Sequence, residues 1–343
     1  MDCSIKLSII LPIYNVKPYI EHCLNTLLKQ DVSKNEYEII CINDGSTDGV
    51  EEILEEYSKY NSNVIVINQE NKGVANARNR GLENTRGGYV WFVDPDDFIA
   101  TNCLKSIFAI LENHKLECLV VGRKVVNEKE NLYIDFVDSH LLEIETNQKE
   151  IFQPTSSRKY SETTVAFKRA NWFLIFERQF LKSNNIQYNT SLSYYEDEVL
   201  TYQCRKHLSK VGYYNAVVYY YRIRANSASK SNDENKNKKH YFALMNSASI
   251  FKAESKQLKV GFEEAEELFL NNKINENICL AVDLLMIIKD KKFVRKQLSD
   301  VKEIPDFVYS ANSMSRRRKI AYTLKGFMPF KIWFWMMWLL HKK

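Results

Sequence analysis

Short apolar runs alternate with amphipathic stretches along the first part of the chain. The apolar runs, which have the length of buried strands, are 5–11, 37–42, 64–67 and 89–93. The stretches between them, which carry apolar side chains at helical spacing, are 17–30, 49–60 and 74–81. This alternation predicts an α/β fold, in which helices cover a mainly parallel, Rossmann-like sheet and the crossovers are right-handed.

Polar side chains follow each of the four predicted strands. In chain order they are Tyr14 and Asn15, then Asp44, then residues 68–72, then Asp94 and Asp96. Ligands of parallel sheets bind at the carboxyl ends of the strands, so we expect these loops to converge on one site. The sequence contains neither GxGxxG nor GxxxxGK[ST]. A nucleotide bound there would be held by a metal ion and basic side chains.

The fourth strand runs directly into three carboxylates, Asp94, Asp96 and Asp97. If the strand continues to its tip, Asp94 and Asp96 point the same way and converge. Pro95 lacks an N–H and ends the sheet pairing. Oxygen ligands gathered in this way favour Mg²⁺ or Mn²⁺. The alternative is an acidic turn that caps the next helix.

The second half of the chain repeats these patterns less regularly. A helix followed by a strand at 118–122 is expected within 99–123, and 211–221 is a predicted strand rich in valine and tyrosine. Apolar spacing predicts an amphipathic helix over 172–181. A further helix is expected from the acidic residues near Glu196 to about residue 208.

Changes in composition suggest how the chain is divided. Residues 124–165 are polar and irregular, and the polar stretch 230–240 is a predicted domain boundary. Residues 241–312 have a helical pattern. The predicted divisions are a domain 1–230 with halves 1–123 and 124–230, a helical extension 231–312, and a tail 313–343.

Composition indicates a globular protein of a reducing compartment. The chain has 343 residues, of which 45% are hydrophobic and 27% charged, so it can bury a core. Its 7 cysteines are scattered singly, without zinc-binding spacing, and several lie in apolar runs. We therefore expect buried thiols. The first residues lack a basic segment and a cleavage site, so we expect no signal peptide.

The tail 313–343 combines basic and aromatic residues. It contains no acidic residue, its basic side chains include Arg316 and Lys331, and Trp333, Trp335 and Trp338 lie close together. The apolar run 332–340 is far shorter than the roughly 20 residues that span a bilayer. The tail is therefore predicted to lie in an anionic membrane interface. The alternative is a terminal helix packed on the protein; a nucleic-acid role is not expected, because no binding motif accompanies the basic residues.

Four motifs together resemble a known family. PIYN, NDGSTD, NKGVANARNRG and VDPDD occur in this order and at these spacings, and the combination is similar to the nucleotide-diphospho-sugar domain of family 2 glycosyltransferases. The resemblance covers roughly residues 5–230 and implies a GT-A fold. The second motif departs from the family's usual DDGS, because Asn43 occupies its first position.

The resemblance implies roles on the donor side. Pro12 and Tyr14 would line the base pocket, Asp44 would accept the uracil imide hydrogen, and Arg78 would lie near the diphosphate. Asp94 would contact the ribose, and Asp96, with Asp94 beside it, would hold Mn²⁺ or Mg²⁺. The remaining expected donor-binding residues are Asn15, Asn71, Lys72 and Gly73.

The resemblance also implies roles on the acceptor side. Acidic residues at a helix start supply the family's catalytic base, which maps to Asp197, with Glu196 as a supporting residue or as the alternative base. Arg222 and Arg224 occupy a segment similar to one that folds over the donor, and both are candidates to pair with the diphosphate; the alternative for each is a solvated arginine at a strand end. From the residues alone, the acidic group could instead favour the positive end of the helix dipole.

These assignments imply an inverting, metal-dependent sugar transferase. We expect a nucleotide-sugar donor, in particular a UDP-sugar, and a glycan or lipid-linked acceptor in cell-surface polysaccharide synthesis. The expected location is the cytoplasmic side of the cell membrane, with peripheral attachment through the tail. The alternatives are an inactive nucleotide-sugar-binding module, a nucleotidyltransferase-like enzyme and a membrane-docked scaffold.

Overall fold

The structure is a computed structural model that describes residues 5–127, 133–134, 152–155, 171–223, 233–257 and 264–300. The chain forms two compact units, Met1–Ser227 and Ala228–Lys343. The predicted domain divisions, including the boundary at residue 230, stay predictions. The tail 313–343 and most of the stretch 124–165 lie outside the described residues.

The first unit begins with the predicted alternation of strands and helices. Its elements are β1 (Leu7–Ile13), α1 (Lys17–Leu28), β2 (Tyr37–Asp44), α2 (Val50–Tyr60), β3 (Val64–Gln69), α3 (Val74–Glu83) and β4 (Tyr89–Phe92). The rest of the unit is less regular. It contains β5 (Phe98–Ile99), α4 (Leu104–His114), β6 (Cys118–Asn127), β7 (Tyr133–Ile134), β8 (Phe152–Thr155), β9 (Leu174–Glu177), α5 (Arg178–Ser183), α6 (Glu196–His207) and β10 (Val211–Ile223).

One mixed, mainly parallel sheet organises the first unit. Its strand order is β3-β2-β1-β4-β9-β6-β10-β5, with β7 beside β6 and β8 beside β10. Strands β1 to β4 are parallel to one another, as are β6 and β10, whereas β9 runs antiparallel to both β4 and β6. The predicted α/β architecture is therefore confirmed.

Burial explains why the central strands β1 and β2 are mostly apolar. All residues of β1 and β2 are buried, as expected where helices cover both faces of a parallel sheet. Helix α3 packs closely on this sheet, because Gly81 lies where a Cβ would collide with the side chain of Ile10. Helix α3 begins soon after the carboxyl end of β3.

The helix predicted over 172–181 is wrong in its first half. Leu174–Glu177 forms β9, and only Arg178–Ser183 is helical. The backbone of this short apolar run completes the hydrogen bonding between β4 and β6, while Leu174, Ile175 and Phe176 are fully buried. A short apolar run fits a strand and a helix equally well, and here the tertiary pairing decides.

The second unit is helical in its described part. Its helices are α7 (Glu234–Gln257), α8 (Glu264–Ile287) and α9 (Lys291–Asp300). Helices α7 and α8 pack together, with Leu244, Phe251 and Leu285 buried. This confirms the predicted helical C-terminal extension. Across the described ranges, none of the helices has the length and apolar character needed to cross a bilayer.

Candidate active site

The loops after β1 and β2 are bonded to each other. Asn15 has a left-handed φ of 52°; its Oδ1 accepts a hydrogen bond from the Thr47 N–H at 2.8 Å, and its own N–H donates to Ser46 Oγ at 3.1 Å. Tyr14 beside it is 49% exposed and is thus available to a ligand. The role predicted for Asn15 as a donor-binding residue stays a prediction.

Pro12 belongs to the strand and not to the loop. We expected the chain to leave the sheet at this residue, but Pro12 is buried and β1 continues to Ile13, paired with β2. The reason is that β4 pairs with β1 only as far as Ile10, so Pro12 lies beyond the end of that ladder. A missing N–H is tolerated there.

Asp44 joins the end of β2 to the start of α3. Its side chain is buried and accepts hydrogen bonds from the backbone N–H groups of Lys72 and Gly73, each at 2.8 Å, and from Gln69 Nε2 at 2.8 Å. An ionised carboxylate has about four acceptor positions, so three bonds leave one for a ligand. The loop 71–73 is therefore fixed by the residue predicted to read the base.

Gly45 and Asn43 shape the turn that follows β2. Gly45 has φ +69°, and a Cβ at this position would lie 2.8 Å from the backbone nitrogen of Asn71, so a side chain would push the two loops apart. Asn43 accepts a hydrogen bond from the Ser46 N–H at 3.1 Å and donates to Asn68 at 3.0 Å. The asparagine that departs from the family pattern thus stabilises the same turn.

Arg78 is the centre of the site. Its guanidinium donates to Glu196 Oε1 at 2.6 Å and to Asp94 Oδ1 at 2.9 Å, and it lies over the Tyr188 ring at 5.2 Å. The side chains of Arg78 and Glu196 are only 7% and 8% exposed. A buried arginine therefore links a predicted donor residue to the predicted acceptor side.

The surroundings of Asp197 shift its pKa. Asp197 and Glu196 lie in the first turn of α6, after Tyr195, whose φ is +64°. Burial and the neighbouring carboxylates of Glu196 and Glu198 raise the pKa of Asp197, and Arg78 only partly opposes this. A raised pKa improves a carboxylate as a general base. An oxygen of Glu196 is held by Arg78, and the assignment of Asp197 as the base, with Glu196 as the alternative, stays a prediction.

The acidic segment is a turn and does not extend β4. The strand ends at Phe92, and the Asp97 N–H donates to the Asp94 carbonyl at 3.0 Å. The strand alternation from which we predicted convergence of Asp94 and Asp96 therefore does not apply here. The chain turns because Pro95 cannot donate to a neighbouring strand.

Asp97 has a structural role that the sequence did not indicate. It is buried, and it accepts hydrogen bonds from the Tyr219 hydroxyl at 2.6 Å and from the Arg222 N–H at 2.7 Å. The Asp94 N–H donates to the same Tyr219 hydroxyl at 3.2 Å. Burial, with the carboxylates of Asp96 and Asp94, raises the pKa of Asp97. This network fixes the acidic turn to β10.

Arg222 lies against α1. Its guanidinium is 2.6 Å from His22 Nδ1 and lies over the rings of Tyr19 and Phe98. Burial and the nearby Arg222 charge lower the pKa of His22. The expected pairing of Arg222 with the diphosphate stays a prediction, and Arg224 lies outside the described residues.

Comparison with known proteins identifies the family. Residues 8–189, more than half of the chain, match the family described as Glycosyl transferase family 2. The chain belongs to this family. It is 30% identical to the uncharacterized glycosyltransferase EpsJ of Bacillus subtilis over 222 residues, which cover 64% of this chain and 62% of EpsJ. It is also 30% identical to the poly(ribitol-phosphate) β-N-acetylglucosaminyltransferase TarS of Staphylococcus aureus over 217 residues, 63% of this chain and 35% of TarS. The chain thus spans less than two thirds of the length of these curated relatives.

Solved structures of other glycosyltransferases share the fold. Crystal structures of S. aureus TarS 1–349 match with a TM-score of 0.59 over 85% of this chain and 83% of that one, and with 0.58 over 86% and 89% for the complex with UDP-GlcNAc. Both are 22% identical to this chain. The mannosyltransferase PcManGT of Pyrobaculum calidifontis, solved with GDP-Man and Mn²⁺, has a TM-score of 0.54 and 14% identity and covers 100% of this chain and 90% of that one. These likenesses support a GT-A fold.

The acidic turn is the predicted metal site. Within the residues that the structure describes, no group of three or more His, Cys, Asp or Glu side chains could hold a metal by itself. Mg²⁺ at nucleotide sites commonly uses one or two carboxylates and takes its other ligands from phosphates and water. The predicted roles of Asp94 and Asp96 as metal ligands are compatible with this smaller number of protein ligands, and they stay predictions.

Sequence reasoning missed the residues that join the two sides of the family 2 site. Tyr188, Asn79, Tyr219 and Asp97 make contacts between segments that are far apart in the chain. Two of these residues lie in stretches that the sequence singles out: Asn79 in the motif NKGVANARNRG, and Asp97 as the third carboxylate of the acidic turn.

Proposed function

We propose that this chain is an inverting, metal-dependent glycosyltransferase. It would move a sugar from a UDP-sugar to a hydroxyl of a glycan or lipid-linked acceptor in cell-surface polysaccharide synthesis. The observation that carries the proposal is the buried Arg78 guanidinium, which bonds both Asp94 and Glu196. One basic residue thereby brings the predicted donor side within reach of the predicted base.

The proposed chemistry is a single displacement. An acceptor hydroxyl has a pKa far above neutral, so Asp197 would take its proton as the new bond forms at the sugar carbon, a contribution of roughly 10²–10⁴-fold. One base without a second nucleophile implies inversion, by analogy with glycoside hydrolysis. Asp96 and Asp94 would hold Mn²⁺ or Mg²⁺, which would neutralise the charge of the departing diphosphate.

The family relatives support the choice of a UDP-sugar and the biological process. S. aureus TarS was solved with UDP-GlcNAc, and its name describes transfer of N-acetylglucosamine to poly(ribitol phosphate). In this chain, the free acceptor position of Asp44 would receive the imide N–H of uracil. Cytosine has no such proton and would leave a buried acceptor unpaired, at a cost of roughly 1–3 kcal/mol.

A donor screen tests the function. Purified protein would be incubated with UDP-, GDP- and dTDP-sugars in the presence of Mn²⁺, Mg²⁺ or EDTA, and release of the nucleoside diphosphate measured. We expect release from a UDP-sugar that EDTA abolishes. No release, together with no UDP binding by calorimetry, would contradict the proposal and favour a scaffold. UDP-sugar binding without turnover in the presence of acceptor glycans would favour an inactive binding module.

We also propose that the catalytic domain ends near residue 230.

The tail 313–343, we propose, attaches the protein to the cytoplasmic side of the membrane. The support is the sequence of the tail, in which Arg316–Arg318 and Lys319 precede a tryptophan-rich run. Full-length protein should bind anionic liposomes better than a version that ends at Met314. Equal binding by the two versions would contradict the attachment.

A further inference from the structure

The proposed base follows a segment without regular structure. Residues 184–195, between α5 and α6, form neither helix nor strand, and Tyr195 at their end adopts a left-handed φ of 64°. The repeating hydrogen bonds of helices and sheets therefore do not determine where α6 begins. Contacts made by side chains must position Asp197 relative to the sheet.

Asn79 holds this segment by its backbone. The Tyr188 N–H donates to Asn79 Oδ1 at 2.8 Å, and Asn79 Nδ2 donates to the Tyr188 carbonyl at 2.9 Å. A single side chain thus satisfies both backbone groups of Tyr188, as a neighbouring strand would. Asn79 lies on α3, next to Arg78, and is separated from Tyr188 by 109 positions in the chain.

The Tyr188 side chain contacts both Arg78 and the end of β4. Its ring lies 5.2 Å from the Arg78 guanidinium and meets the Phe92 ring edge-on at 5.1 Å. Phe92 is the last residue of β4, two positions before Asp94. The Tyr188 hydroxyl accepts a hydrogen bond from Asn171 Nδ2. Tyr188 is 3% exposed, so these contacts leave it little freedom.

We propose that Asn79 and Tyr188 are positioning residues for the base. They would fix the Arg78–Glu196 ion pair and, through it, the place of Asp197 at the donor sugar. This inference rests on the proposed function, because it concerns the same base. Asn79 would touch neither the donor nor the acceptor. A displacement of about 1 Å in a reacting group can lower turnover about 100-fold, so loosening this contact is expected to slow the chemistry and leave donor binding intact.

The first test compares two asparagines of the same helix region. Asn79→Ala should lower the rate of UDP release from the preferred UDP-sugar by about 10- to 100-fold, while the UDP dissociation constant measured by calorimetry changes by less than about twofold. Asn84→Ala is the matched control, because Asn84 is exposed and its side-chain amide donates to the Arg80 carbonyl of the adjoining helix at 2.8 Å. Both quantities should remain unchanged in the control.

A second test separates positioning from a general structural role. In an Asp197→Asn background the base is absent, so adding Asn79→Ala should not lower the residual rate further. Substitution of a residue that acts independently of the base would lower the rate of UDP release by the same factor in both backgrounds. If Asn79→Ala does not fold, Tyr188→Leu takes its place, because it removes the ring over Arg78 and keeps the backbone bonds to Asn79.

The results distinguish this inference from the proposed function. A wild-type rate of UDP release in folded Asn79→Ala, or equal losses in the two backgrounds, would overturn the positioning role and leave the transferase proposal standing. A loss of UDP affinity that parallels the loss of rate would also overturn it. If the wild-type protein neither releases nucleotide from any donor nor binds UDP, the proposed function fails, and the positioning role fails with it.

Discussion

Replacing Arg78 by leucine should destabilise the protein far more than replacing Arg80. The two arginines lie on α3 and differ in environment: the Arg78 side chain is 7% exposed and bonds Glu196 at 2.6 Å, whereas Arg80 is 54% exposed and 3.9 Å from Glu83. Removing one partner of a buried ion pair costs about 3–5 kcal/mol, because the other charge is left buried. A surface pair contributes about 0–1 kcal/mol.

The expected free energies of unfolding follow from these environments. Arg78→Leu should lower the free energy of unfolding by about 3–5 kcal/mol. Loss of the ion pair with Asp94 should add a smaller amount, because the Asp94 side chain is 25% exposed. Arg80→Leu should lose less than about 1 kcal/mol. The double variant Arg78→Leu/Glu196→Leu should be more stable than Arg78→Leu alone, because it removes the uncompensated carboxylate.

Urea unfolding followed by tryptophan fluorescence, without metal or nucleotide, measures these differences. The informative quantity is the coupling between Arg78 and Glu196, expected at about 1–3 kcal/mol. Similar losses for Arg78→Leu and Arg80→Leu would refute the assignment of a buried ion pair. Additive losses in the double variant would refute the coupling.

Further predictions concern the base and the loops around it. Asp197→Asn should retain UDP binding and lose roughly 10²–10⁴-fold in turnover. Because the pKa of Asp197 is raised, the rate should fall with decreasing pH above the ordinary carboxyl value of about 4. Because the pKa of Asp197 is raised in the folded protein, the stability that this group contributes is present below about pH 4 and is lost as the pH rises. Raising the pH from about 4 to 8 should therefore lower the stability of the wild type relative to that of Asp197→Asn. Gly45→Ala should cost about 1–3 kcal/mol through its positive φ and weaken UDP binding by displacing Asn71. Tyr219→Phe should cost about 1–3 kcal/mol, because a buried oxygen of Asp97 loses its donor.

Matched controls test the two structural predictions, and two results would contradict the prediction about the base. The control for Gly45→Ala is Gly88→Ala. A Cβ at Gly88 would lie 3.6 Å from the Lys6 carbonyl, which is an ordinary contact, so this variant should leave UDP binding unchanged. Tyr220→Phe, on the same strand as Tyr219, should change stability by less than about 0.5 kcal/mol. Normal turnover in Asp197→Asn, or an activity profile that is flat down to about pH 4, would show that another group is the base.

The arrangement of the first strands and helices could be predicted because it depends on local patterns. Periodicity along residues 5–93 is set by which side chains each element buries, and the predicted elements agree with β1 to β4 and α1 to α3. The polar ends of these strands followed from the same reasoning. Their convergence needed only the rule that parallel strands end at one edge.

Long-range pairing accounts for what the sequence did not predict. The strand β9 exists because β4 and β6 leave a gap between them, and nothing within 174–177 encodes that gap. The hydrogen bonds from Asn79 to Tyr188 and from Tyr219 to Asp97 join segments more than a hundred positions apart. Such contacts depend on the finished fold, and a single sequence contains no periodic signal for them.

The stereochemistry of the first product tests the central claim most directly. Proton NMR would follow a UDP-α-sugar incubated with the protein and Mn²⁺ and record the anomeric signal of the released or transferred sugar before it equilibrates. The account predicts the β anomer, formed by wild type and lost in Asp197→Asn. An α product, or a β product formed equally well by Asp197→Asn, would contradict single displacement with Asp197 as the base.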